Sequence, residues 1–241
     1  MGFECPSLDL NTFSIVARDP ASNMFGVATS TKFPAVGGLV PYARAGFGAI
    51  ATQARVNPLL GYDGLDLLER GRGARETLEI LLNSDPEPEK RQLGIVDSRG
   101  DSAAHTGAET DAWRGHLTGP NYAVTGNLLV GEEVVVAMVE AFEVSAGEPL
   151  AERLVRALEA GQEAGGDKRG GQSAAVRVVE GQPYPYMDLR VDDHPDPVAE
   201  LRRIYEAVRS DVVALVEALP TRKNPRGDFG EEIQSILLPE R

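Results

Sequence analysis

Residues 12–19, TFSIVARD, read with a period of two, and MFGVATS at 24–30 repeats that pattern after the turn residues PASN. Such an alternation broken by turn chemistry predicts an antiparallel hairpin. Two more strand-like runs follow at 37–44 and 46–53, and Gly26, Gly46 and Gly48 within these runs predict close backbone approach or bulges. Then the period changes. Leu59, Leu60, Leu65, Leu67 and Leu68 crowd a short helix ending near Gly71, and 74–84 places Leu78, Leu81 and Leu82 on one helical face. After the polar break DPEPEK, runs 92–98 and 101–107 flank Arg99-Gly100 as a second hairpin. A strand is expected at 121–127, with a turn at Gly126-Asn127.

The second half reads as two tandem helices at about 132–145 and 149–161. Pro149 and Gly161 stand where helix starts and ends favour them. Strands at 173–180 and 187–192 precede a long amphipathic helix at about 197–218 and a tail. Helices grouped between sets of mostly antiparallel strands predict an α+β body, with two sheets face to face and helices outside. No internal repeat is visible.

Composition narrows the function classes. The chain has 241 residues with 42% apolar, enough for one large core or two modest ones. A net charge of -13 and a pI of about 4.7 set it against nucleic acid and anionic lipid. Its single cysteine, Cys5, excludes a disulfide framework within the chain. His105, His116 and His194 show no metal-ligand spacing, so neither metal nor cofactor is expected. No apolar run approaches a membrane span, and MGFECPSLDLNT lacks the features of a signal peptide. These features predict a soluble cytoplasmic protein. Apolar strands and a helical C-terminal segment predict a homodimer.

The densest chemistry lies in AGGDKRGGQSAA at 164–175. Asp167 and Arg169 stand two apart, so an irregular loop can turn both into one pocket. The glycines permit positive φ and close approach of a ligand, and their N–H groups can form an anion nest. A plainer alternative is a helix C-cap and a tight turn with a local ion pair. A nucleotide-phosphate loop fits worse: the G-x-x-x-x-G-K-[ST] spacing is missing, and the loop runs into a strand. Thr106-Gly107 and Thr125-Gly126-Asn127 end strand-like runs, and Gln53, Arg55 and Asn57 follow another. Such ends can converge on one rim and supply donors to an oxyanion. Gln53, Arg55 and above all Asn127 are the expected substrate contacts.

Taken together, TFSIVARDP, STKFPAVGGLVPYARAGFGAIATQA, the later TG and TGN, and AGGDKRGGQSAA resemble one family over residues 12 to 192. It is the domain of unknown function 1028 family, assigned to the N-terminal nucleophile (Ntn) hydrolase superfamily. The resemblance implies a four-layer αββα sandwich and makes Thr12 the nucleophile, with its own α-amine as base. It implies a site cation, which is Arg44 by its spacing of 32 residues from Thr12 or Lys32 by side-chain type. Asp167 and Ser173 take the role of orienting the nucleophile, with Gln172 as a polar neighbour and Arg169 as a charged substrate contact. Eleven residues precede Thr12, and while they remain its nitrogen is an amide and no base. The implied activity is hydrolysis of a small amide or peptide-like bond. The alternative is an inactive Ntn scaffold that binds a small metabolite in the same cleft. The chain then divides into an extension (1–11), an Ntn-hydrolase-like domain (12–195) and a C-terminal helix and tail (196–241) packed on that domain.

Overall fold

The computed structural model describes residues 9–237. One antiparallel sheet holds β1 (Asp9–Leu10), β4 (Pro41–Arg44), β5 (Gly48–Arg55), β6 (Arg91–Asp97) and β7 (Ser102–Thr106). Its order is β1-β5-β6-β7, and β4 joins β5 beside β1. The other sheet holds β2 (Thr12–Asp19), β3 (Met24–Thr31), β8 (Arg114–Gly119), β9 (Tyr122–Asn127), β10 (Ser173–Val179) and β11 (Pro185–Val191). Its order is β11-β10-β3-β2-β9-β8, which puts β2 in the middle of a sheet as the hairpin pattern requires.

Three apolar layers hold the stack together. Helices α1 (Pro58–Glu69) and α2 (Ala74–Ser84) lay Leu60, Leu65, Leu68, Leu78 and Leu81 on Ile50, Leu93 and Ile95 of the first sheet. Val16, Val27, Ala49, Ala51, Val96 and Ala175 fill the space between the sheets. On the far side, α3 (Glu133–Val144), α4 (Leu150–Glu163) and α5 (Pro197–Ala218) cover Phe13, Ile15, Val176 and Val178. The result is an αββα sandwich. Strand β2 belongs to two layers at once, because successive side chains point to opposite faces. Gly26 is a point of close approach: a Cβ there would meet Leu154 Cδ1 of α4 at 2.5 Å.

Helix ends follow local chemistry. Asn57 accepts from Leu59 N and Pro58 occupies the first turn of α1, while Asp196 and Pro197 start α5 in the same way. Three local expectations need correction. Residues 36–38 form a 3-10 turn, so β4 begins only at Pro41. Gly126 and Asn127 lie within β9 because they pair with Gly115 and Arg114 of β8. Strand β8 itself, RGHLTG, has no apolar alternation and sits at a half-exposed sheet edge. The tail contributes α6 (Glu231–Leu237), which packs on α5. No helix among the described residues is long and apolar enough to cross a membrane.

Candidate active site

Thr12 opens β2 opposite Thr31 of β3, and both are buried. The peptide bond before Thr12 is closely held. The Asn11 carbonyl oxygen accepts from Thr31 Oγ1 at 2.5 Å and from Arg169 Nη2 at 3.1 Å. Arg169 is itself fixed by a fork-to-fork pair with Asp167, Nε to Oδ1 at 3.0 Å and Nη2 to Oδ2 at 2.6 Å. Such bidentate geometry fixes direction as well as charge. Asp167 is 3% exposed and is anchored by a bridge between its backbone and Leu129, beside Asn127. Its carboxylate also accepts from Arg169 N at 2.8 Å and Lys32 N at 3.4 Å. The glycine-rich loop thus delivers one guanidinium to the carbonyl preceding Thr12.

Behind Thr12 runs a neutral network. Gln53 Nε2 donates to the Thr12 carbonyl at 3.0 Å and to Gln92 Oε1 at 2.8 Å. Ser14 Oγ lies 2.5 Å from Gln53 Oε1 and 2.8 Å from Thr29 Oγ1. An amide oxygen only accepts, so the single Ser14 hydrogen goes to Gln53 and the Thr29 hydroxyl completes the other contact. Asn127 Nδ2 donates to Gln92 Oε1 at 2.8 Å. Gln92 Nε2 reaches Gly126 O at 2.8 Å, Thr106 Oγ1 at 2.9 Å and Gly115 O at 3.1 Å. Thr106 Oγ1 continues to His116 Nδ1 at 2.8 Å, near the surface. Asn127 Oδ1 is buried and has no hydrogen-bond partner among the described residues. Beside Asn11, a cavity of about 190 Å³ is lined by Ala54, Arg55, Lys90, Glu109, Thr110 and Asp111.

The structure therefore gathers Thr12, Gln53, Asn127, Asp167 and Arg169, with Arg55 lining the adjacent cavity. Ser173 is close, pairing with Thr31 across β10 and β3, but its hydroxyl is spent on the next turn. It donates to Phe33 O and accepts from Val36 N at 3.1 Å. Gln172 turns to Asp193 Oδ1 at 3.1 Å. Lys32 is exposed, and its ammonium binds Gly171 O at 3.1 Å. Arg44 is not brought to the site. It lies at the Gly48 end of β5, whereas Gln53, which donates to the Thr12 carbonyl, is near the other end. Asp66 and Glu69 of α1 hold its guanidinium there. Spacing along the chain matched, but β4 runs the wrong way to carry that spacing to Thr12.

Thr31 and Gln92 are the residues that sequence reasoning missed. Counting hairpin register back from PASN puts Thr31 opposite Thr12, and Gln92 is a polar residue at the start of an apolar strand run. Nothing local marks Gln92 as a hub.

The fold has a solved counterpart. A crystal structure of a DUF1028 protein from Silicibacter pomeroyi superposes with a TM-score of 0.82 at 31% identity, covering 90% of this chain and 99% of that one. Looser likenesses cover 87% of this chain and 100% of each partner. They are Anbu (ancestral beta-subunit) from Yersinia bercovieri, with a TM-score of 0.37 at 14% identity, and an Anbu mutant from Hyphomicrobium, with 0.42 at 9%. No curated protein matches the chain. The family of unknown function DUF1028 matches residues 12–201, which include Thr12, Gln53, Asn127, Asp167 and Arg169, and the chain belongs to that family.

Proposed function

We propose that this protein is an amidohydrolase of the N-terminal nucleophile type, acting on a small amide or peptide-like bond, with Thr12 as nucleophile once the Asn11–Thr12 bond is opened. The observation that carries this reading is the convergence of Thr31 Oγ1 and Arg169 Nη2 on the Asn11 carbonyl oxygen. Donors aimed at a carbonyl oxygen stabilise the negative charge that grows there during attack at its carbon. Water adds to the Asn11 carbonyl carbon and the C–N bond breaks, leaving a carboxylate on Asn11 and a free amine on Thr12, which takes the proton of the Thr12 hydroxyl. The oxygen then attacks the substrate carbonyl carbon, the C–N bond breaks, and the leaving nitrogen departs with the proton. Water hydrolyses the resulting ester and restores the hydroxyl. Asp167 acts through Arg169, as a positioning residue, and Gln53 holds the Thr12 backbone.

A second reading keeps the site as an inactive scaffold for a small metabolite. It is favoured by the pairing of Asp9 and Leu10 with Arg55 and Ala54, which ties the residues before Thr12 into the first sheet. Intact mass and N-terminal sequencing decide first. The full-length chain, a Met-Thr12 chain that loses its Met, and full-length Thr12→Ala are then assayed on a panel of small amides. Turnover in the shortened chain and none in Thr12→Ala is expected. Arg169→Gln in the full-length chain is expected to slow opening of the Asn11–Thr12 bond by about 10²–10³, the effect of losing one such donor. Equal activity in the full-length and Thr12→Ala chains, with no gain on shortening, would leave the scaffold reading.

A further inference from the structure

The largest cavity described, about 790 Å³, is lined by none of the residues that gather at Thr12. A volume of that order suits a small-molecule ligand. It lies between β4, which lines it with Pro41 to Arg44, and the β10–β11 pair, which lines it with Arg177, Val179 and Arg190. Val27, the β3 partner of Arg177, is four residues along from Thr31, so this region is roughly 13 Å from Thr12 measured along the strands.

The cavity wall is unusual for so acidic a chain. Arg177 sits on β10 between Ala175 and Val179, both part of the apolar layer between the sheets. Alternation therefore points an arginine inward. Its Nε is buried and has no hydrogen-bond partner among the described residues. Arg190, paired in register with Ala175, lines the same wall. One carboxylate, Asp188, serves both, at 3.9 Å from Arg177 Nε and 3.7 Å from Arg190 Nε, too far for a hydrogen bond to either. Gly37 makes room for this arrangement. A Cβ there would meet Arg190 Nε at 2.7 Å and Ala175 Cβ at 2.9 Å. Arg222 adds a cation with no ion pair among the described residues, while Glu69 on the same wall is engaged by Arg44. The opposite wall is aromatic. Tyr42 and Tyr62 meet edge to face at 5.0 Å, with Phe47 nearby.

From this juxtaposition we propose a second binding site, for a small molecule that joins a carboxylate or phosphate to a flat ring. The oxyanion takes the guanidinium donors of Arg177 and Arg190 that no acceptor among the described residues reaches, and the ring lies against Tyr42, Tyr62 and Phe47. The site is independent of the proposed chemistry at Thr12, so it is tested in the Thr12→Ala chain.

Phenyl phosphate and benzoate are titrated by calorimetry, with inorganic phosphate and phenol as the anion-only and ring-only probes. Saturable one-to-one binding is expected for at least one of the two combined probes, tighter than for either part. Arg190→Gln and Arg177→Met should each weaken it at least tenfold, and Tyr62→Ala should weaken the combined probe while leaving phosphate unchanged. If Arg177→Met does not fold by circular dichroism, the more exposed Arg190→Gln decides. Absence of saturable binding by both combined probes, or binding that Arg190→Gln leaves intact, overturns the proposal.

Discussion

Two buried polar regions of this protein are built on different terms. Between the sheets, Ser14, Thr29, Gln53, Gln92 and Asn127 form a network with no formal charge. At the rim, Asp85 with Arg91 and Asp167 with Arg169 bring charges inside, each acid against an arginine. The difference follows from desolvation. An amide between the sheets needs only hydrogen-bond partners, whereas a buried ion needs a counter-ion and further donors as well. Asp85 has both: Arg91 Nε at 3.0 Å, Asn57 Nδ2 at 2.8 Å and Glu87 N at 2.8 Å. Burial pushes its carboxyl upward, yet these hydrogen bonds and the Arg91 charge prevail and hold it below the ordinary value.

The comparison breaks most visibly at the rim. Asp85→Ala takes its close counter-ion from the buried Arg91, leaving it Arg55 O and the more distant Glu87, and the expected loss is about 3–5 kcal/mol in urea unfolding at neutral pH. The sign with pH is fixed by the lowered carboxyl. Its stabilisation is complete above the unfolded value of about 3.9 and disappears as pH falls through the lower folded value. The gap between wild type and variant should therefore narrow in acid; a gap that stays constant would show that the charge is not what matters.

In the neutral region, Gln53→Leu is expected to cost less, about 1–3 kcal/mol. It removes the partners of the Thr12 carbonyl, Ser14 and Gln92 together. Because no group of this core network ionises, the loss should not vary with pH from neutrality into mild acid. A loss that grows in acid would place a hidden charge in the network.

The smallest effect belongs to His116, where the network meets the surface. The residue is exposed as a whole, but its ring rests on Thr106, and burial of that ring followed by repulsion from His105 lowers its pKa. A proton NMR titration should give a midpoint below about 6.5. The imidazole is then favoured neutral in the folded state, so its small contribution fades as pH drops from about 6.5 through the lowered midpoint. A midpoint at or above that value would separate His116 from the buried network.

Much of this architecture is a local matter and was open to reading in the chain. The β2–β3 hairpin, the two helix pairs and the span of α5 follow from periodicity, turn residues and caps, because backbone hydrogen bonding answers to near neighbours. Loop 164–175 announced its chemistry by composition, and Asp167 with Arg169 do meet as a pair two residues apart. The tertiary structure alone decided where that pair points. Arg44 and Lys32 competed for one role on the strength of spacing and type, and neither side chain is the cation on the Asn11 carbonyl; Arg169, expected only as a substrate contact, is. Likewise Gln92 became a hub because β6 lies beneath β9, a relation between two sheets that leaves no trace along either strand. Periodicity tells which face a side chain takes. What lies across that face depends on how the sheets stack, and that is settled by packing of the whole chain rather than by any stretch of it.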